Sequence, residues 1–194
     1  MQNLPPRRPF ESLAKLLYFG DFLAIPIAIL ALLSVSGANL SAAASMAWFF
    51  VFGAGLVLWS LVEYIVHRFI YHRIVFFKRL HDAHHDDPKA LLGFPSFVSS
   101  GIILGAAYLP LRHASPIAAT ALTSGLLAGY ALYMFVHHAT HHFVILPGDR
   151  LYNARLRHMA HHYRDPPGDF GVSTDIWDRA FHTRSAKRDR AVRA

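Results

Sequence analysis

Four apolar runs, none containing a histidine, constrain this chain more than any other feature. They are residues 16–35, 46–66, 97–111 and 116–136. A bilayer core about 30 Å thick takes roughly 20 apolar residues as a helix. Lipid offers no partner to an unpaired peptide group, so runs of this kind fold as helices. The run 97–111 is short for a span and is expected to tilt little or to begin in the interface. The first run carries Asp21 and Pro26. A cleaved signal peptide is its rival reading, with Ala42-Ala43-Ala44 as the processing site. The run exceeds the roughly 7–15 residues of a signal core, so a retained helix is expected.

Composition agrees with a lipid-facing surface. Hydrophobic residues make up 54% and charged residues 16%, and the mean hydropathy is +0.29. There is no cysteine, which excludes disulfides, thiolate catalysis and metal–sulfur centres. The formal charge is +7, but the basic residues flank the apolar runs and form no single nucleic-acid-binding surface.

Short turns at 36–45 and 112–115 join the runs into two hairpins. Both hairpins bring the chain back to one side. That side receives the N-terminal arm, residues 67–89, everything after Val136, and every lysine and arginine except Arg112. The positive-inside rule makes it the cytoplasmic face. The expectation is an all-α integral membrane protein of one domain, 1–194. Its parts are a basic arm (1–15), four spans (16–136) with a histidine-bearing segment at 67–89, a C-terminal histidine-bearing segment (137–183) and a loose basic tail (184–194).

The chain holds 14 histidines, and only His113 and His182 stand outside four short clusters. Hydropathy and charge place all four clusters on the same face. His81, His84 and His85 stand at i, i+3 and i+4, and His158, His161 and His162 repeat the pattern. Such positions share a helix face, so each triad is expected to aim several rings at one point. His137 with His141, and His138 with His142, are equivalent i, i+4 pairs. His67 and His72 differ: five residues put them about 140° apart on a regular helix. Either the helix is locally bulged or each ring serves a different ion. Imidazole suits iron, zinc, copper and nickel, and one ion takes at most about six side chains, so this many histidines imply two ions. Glu63, one turn before His67, and Asp82, Asp86 and Asp165 are candidates to orient the rings from behind. A passive metal-binding membrane protein is the rival to an enzyme, but transporters place ligands within the spans.

These segments resemble the fatty acid hydroxylase and sterol desaturase superfamily of membrane di-iron enzymes, and most closely its fatty acid 2-hydroxylase branch. The resemblance rests on Glu63-Tyr64-Ile-Val-His67 through His72, on His81-Asp-Ala-His84-His85, and on Tyr133-Met-Phe-Val-His137-His-Ala-Thr-His141-His142. It continues through His158-Met-Ala-His161-His162-Tyr163 and Phe170-Gly171-Val172 to Trp177-Asp178, Phe181 and Thr183. It implies four transmembrane helices topped by a cytoplasmic helical cap that holds a dinuclear iron site. The implied ligands are His67, His72, His81, His84, His85, His137, His141, His158, His161 and His162. Their spacing from Tyr133 selects His137 and His141 over His138 and His142.

The implied activity is O₂-dependent hydroxylation of an unactivated C–H bond in a fatty acyl or sphingolipid chain. A sterol or carotenoid ring is the alternative substrate. Arg68 and Arg164 are candidates either to steer an anionic head group or to act as interfacial anchors, the ordinary role of such residues. No segment like the family's haem electron-transfer domain is present, so electrons are expected from a separate protein. Two further departures are Met134, where relatives carry an acidic residue, and His182, where they carry glycine.

Overall fold

The computed structural model describes residues 11–36, 41–91 and 96–185. Residues 1–10 of the basic arm, 37–40 of the first turn and 186–194 of the tail lie outside the described residues. The elements in order are α1 (Glu11–Ser36), α2 (Ala42–Ile65), α3 (Val75–Asp86), α4 (Ser96–Ile103), α5 (Leu109–Leu111), α6 (Pro116–His142), α7 (Tyr152–Tyr163) and α8 (Ile176–Ala180). A π-helical turn, Val66–Tyr71, extends α2, and a second, Leu104–Tyr108, joins α4 to α5. No strand occurs among the described residues.

Two boundaries differ from expectation. Helix α1 starts at Glu11, so the last residues assigned to the arm are helical. Good helix formers extend the apolar run there toward the N-terminus. Helix α2 starts at Ala42, ahead of Met46, because Ser41 caps it: the Ala44 N–H donates to Ser41 Oγ at 3.3 Å. Ala42-Ala43-Ala44 is thus a capped first turn. Ile25 and Leu32 of α1 are buried in the bundle core.

Among the described residues, three helical stretches are long and apolar enough to cross a membrane: Lys15–Ser36, Ala42–Tyr71 and Pro116–His142. Phe97–Leu111 forms a shorter apolar helix. Leu23, Leu30, Phe49, Phe50 and Val57 point outward, as a lipid-facing surface requires. Helix α6 is the central element, with α1, α2 and α4 packed on it. It opens with Pro116 at its first turn, and Ser115 Oγ accepts the Ala118 N–H at 3.3 Å.

The contact between α2 and α6 positions the site. A Cβ at Gly55 would come within 2.6 Å of the Leu122 carbonyl oxygen, and one at Gly125 would strike the Phe52 carbonyl. With hydrogen in their place the two backbones touch, the small-residue packing that membrane helices favour. The two helices therefore end together, and their histidine-bearing last turns converge. Over those ends lie α3, α7 and the segment from Arg164 to Ser185 that contains α8.

Candidate metal centre

The ten histidines named above come together as two groups. The first holds His67, His72, His81, His85 and His161, and the second His84, His137, His141, His158 and His162. Within each group one ring nitrogen per residue lies within 4.8 Å of all the others. The groups abut: His85 of the first stacks on His162 of the second, with ring centroids 4.1 Å apart and planes at 17°.

Helical geometry explains the assembly, with one correction. The triads on α3 and α7 do not each converge on one point. Each sends its i, i+4 pair to one group and its remaining histidine across to the other. His81 and His85 join the first group while His84 joins the second; His158 and His162 join the second while His161 joins the first. Residues at i and i+4 overlie each other most closely, and the i+3 position is rotated about 60° from i. The two helices thus lace the groups together.

His67 and His72 fall in the same group, not in different ones. The π-helical turn Val66–Tyr71 brings them together. Its hydrogen bonds run from i to i+5, so rings five apart stand about one turn apart. His137 and His141 belong to the second group, while His138 and His142 stack on each other outside it, with centroids 4.3 Å apart. Tyr18 Oη lies 3.3 Å from His138 Nδ1.

The orienting contacts to the first group come from backbone carbonyls. His67 Nδ1 donates to Phe170 O at 2.7 Å, and His161 Nδ1 donates to Gly168 O at 2.8 Å. With Nδ1 carrying the proton, each neutral ring presents a lone pair at Nε2. Glu63 acts one step further back. Its buried carboxylate accepts the Val172 N–H at 2.7 Å, the Ser173 N–H at 2.9 Å and the Ser173 hydroxyl. It thereby pins the loop whose Phe170 carbonyl holds His67. Asp178 grips the same loop from the other side: it accepts the Phe170 N–H at 2.8 Å, the Gly171 N–H at 2.7 Å and the Thr183 hydroxyl at 2.7 Å.

Asp82 pairs with Lys78 at 2.5 Å, and Asp86 and Asp165 are exposed. Among the described residues no hydrogen bond joins these aspartates to an imidazole. The roles of Phe170 O and Gly168 O escaped sequence reasoning because a carbonyl has no residue-type signal. Asp178 stood within the matched Trp-Asp pattern but without an assigned role.

Burial and the neighbouring imidazoles keep the rings neutral. They push His72 and His84 down to about 4, His161 to about 3 and His162 to about 2, and they lower His81, His85 and His158 as well. Neutral imidazole is the form that binds metal.

The nitrogen spacing fits metal ions better than it fits hydrogen bonds. His81 Nε2 has three Nε2 neighbours: His67 at 3.1 Å, His72 at 3.2 Å and His85 at 3.0 Å. One neutral nitrogen donates a single proton or accepts along a single lone pair, so it cannot satisfy three such contacts. In the second group His158 Nε2 lies 2.6 Å from His141 Nε2 and 3.1 Å from that of His162, and His137 Nε2 is 3.0 Å from that of His84. Ligands at right angles around an ion with bonds of about 2.1 Å stand about 3 Å apart. Two sets of lone pairs at that spacing fit two metal ions.

An open pocket of about 550 Å³ fronts the first group. His72, His85, His161 and His162 line it together with the charged Arg68, Arg73, Lys78, Asp82 and Arg164.

Residues 52–183 match the fatty acid hydroxylase family. The chain is 36% identical over 146 residues to the fatty acid 2-hydroxylase of Macaca fascicularis, covering 69% of this chain and 39% of that protein. It is 32% identical over 148 residues to the ceramide very long chain fatty acid hydroxylase SCS7 of Saccharomyces cerevisiae, covering 69% of this chain and 38% of that one. The chain therefore spans well under half the length of these relatives. Among solved structures, the visible hydroxylase domain of full-length scs7p superposes with a TM-score of 0.75 at 26% identity, over 92% of this chain and 70% of that chain. The matched residues 52–183 include all ten clustered histidines of this chain, and the chain belongs to the fatty acid hydroxylase family of membrane proteins.

Proposed function

We propose that the chain is a non-haem di-iron monooxygenase that hydroxylates an unactivated C–H bond of a lipid acyl chain. The observation that carries this reading is the pair of abutting five-imidazole groups, with nitrogens at ligand spacing and burial holding the rings neutral. When bound, two iron ions would supply the dioxygen chemistry, with zinc a possible substitute in a purified sample. The overall balance is one C–H bond plus O₂, two electrons and two protons giving one C–OH group and water. A separate electron-transfer protein delivers the electrons. The ten grouped histidines serve as the ligands.

The chain's own residues set the geometry. Phe170 O and Gly168 O hold protons at His67 Nδ1 and His161 Nδ1, so that Nε2 of each faces inward. Glu63 and Asp178 make the loop bearing those carbonyls rigid. The apolar helices form two hairpins of four spans, the short helix included, and the histidine layer caps their cytoplasmic side. A lipid reaches the centre from the membrane edge. An acyl chain is favoured over a ring because the matching relatives are named for fatty acid and ceramide hydroxylation.

The test joins metal analysis to lipid mass spectrometry in an expressing host. About two irons per chain and hydroxylated acyl lipids that vanish with His84→Ala are expected. Unchanged lipids with altered metal tolerance would instead favour the passive metal-binding reading.

A further inference from the structure

The pocket in front of the first imidazole group carries a charge pattern that a purely neutral substrate does not require. Four of its lining side chains are cationic: Arg68, Arg73, Lys78 and Arg164. Its single carboxylate, Asp82, is already paired with Lys78. Two of the other cations have settled partners. Arg68 donates to Tyr64 Oη at 2.7 Å and lies over the Phe69 ring at 5.0 Å, and Arg73 lies over the same ring at 5.2 Å. Arg164 differs, because its Nη1 is buried and has no hydrogen-bond partner. A guanidinium N–H held away from water without an acceptor is costly, and a bound anion removes that cost.

Size narrows the occupant. A volume of about 550 Å³ lies within the range of small-molecule sites, roughly 300–1,000 Å³. A docked redox protein would instead cover about 800 Å² of surface. Arg164 lines the same recess as the other cations. Apart from Phe170 and Pro167, the lining is polar, which suits a head group better than an acyl tail. Arg68 stands in the last turns of the spanning stretch Ala42–Tyr71, so the pocket adjoins the membrane end of that helix.

We propose that this pocket anchors the anionic head of the substrate, with Arg164 as its specificity-determining contact, and that the chain takes an acyl lipid with a free carboxylate or phosphate in preference to a neutral ceramide. The inference deepens the hydroxylase reading and rests on it for the identity of the pocket's occupant. Because the cations share one small pocket with four of the clustered histidines, an anchored head sets the carbons nearest to it beside the metal groups. Hydroxylation close to the head, and not at the far end of the chain, follows from the anchoring.

Equilibrium binding to the full chain in phosphatidylcholine nanodiscs tests this directly, with palmitate, hexadecyl phosphate, the neutral palmityl alcohol and a short-chain ceramide as probes. Palmitate or hexadecyl phosphate is expected to bind at least tenfold more tightly than the alcohol or the ceramide. The stronger of the two anions identifies the head. Arg164→Gln is expected to abolish the preference while leaving alcohol binding and metal content unchanged. Arg73→Gln, at an exposed position, should weaken anion binding severalfold and remains informative if the first variant fails to fold. Equal binding of charged and neutral probes, or equal weakening of both by Arg164→Gln, would overturn the proposal. Hydroxylation of ceramide with no anion preference would sink this inference and leave the hydroxylase reading standing. An Arg164-dependent anion preference in a chain that hydroxylates nothing would do the reverse.

Discussion

The two imidazole groups have the same number of rings but are held in different ways. The second group draws all its histidines from regular helices: His84 from α3, His137 and His141 from α6, His158 and His162 from α7. The Nδ1 atoms of His84, His158 and His162 are buried without partners, so packing alone orients those rings. The first group takes His67 from a π-helical turn and His72 from the residue that ends it, and fixes two rings through carbonyls of the Gly168–Phe170 stretch. It also opens on the pocket, which three of its rings line against one from the second group. Regular helix spacing is sufficient where ligands stand three or four apart. Where they stand five apart, an irregular turn and a loop gripped from both sides must complete the work.

The largest effect is expected from His158→Ala, which removes a ring at the centre of the second group. Bound metal should fall from about two ions per chain to about one, and hydroxylated product should drop below detection. Retention of both ions with normal product would show that the groups are not separate sites. Glu63→Ala strikes the first group through its loop. Two N–H groups and a hydroxyl lose a buried acceptor, at roughly 1–3 kcal/mol each before relaxation, so a loss of about 3 kcal/mol is expected in thermal unfolding. Metal affinity of the first group should fall roughly 10–100-fold while that of the second holds. Equal weakening of both would mean that the loop supports the whole cap and not one group.

Chelation sharpens the contrast without mutation. The pocket exposes the first group, so metal release should be biphasic, with its ion leaving roughly tenfold faster. A single release phase would argue that the pocket gives no preferential access.

The smallest effect concerns His182, which sits at φ 55° in the left-handed region. That conformation suits glycine, since a Cβ is disfavoured there by about 1 kcal/mol. His182→Gly should raise stability by roughly that amount and leave metal content alone, because His182 belongs to neither group. A loss of metal would instead give His182 a role at the centre.

Much of this organisation was legible beforehand, and particular residues show why. The apolar runs announced their helices because lipid leaves a long apolar segment no other way to pair its backbone. Asp82, Asp86 and Asp165 misled as ring-orienting groups. A carboxylate beside a histidine in the chain need not face it, and here two are exposed and the third binds Lys78. The true orienting atoms, Phe170 O and Gly168 O, are peptide carbonyls that any residue would supply.

The sequence by itself determined that apolar helices would carry clustered imidazoles at one end, because hydropathy and helical spacing are local properties read over a few turns. Only the tertiary structure decided which ring joins which group. The lacing of α3 and α7 across both groups, the π-helical turn that unites His67 with His72, and the grip of Glu63 on a loop more than a hundred residues away all depend on how distant segments pack. No local pattern encodes that packing.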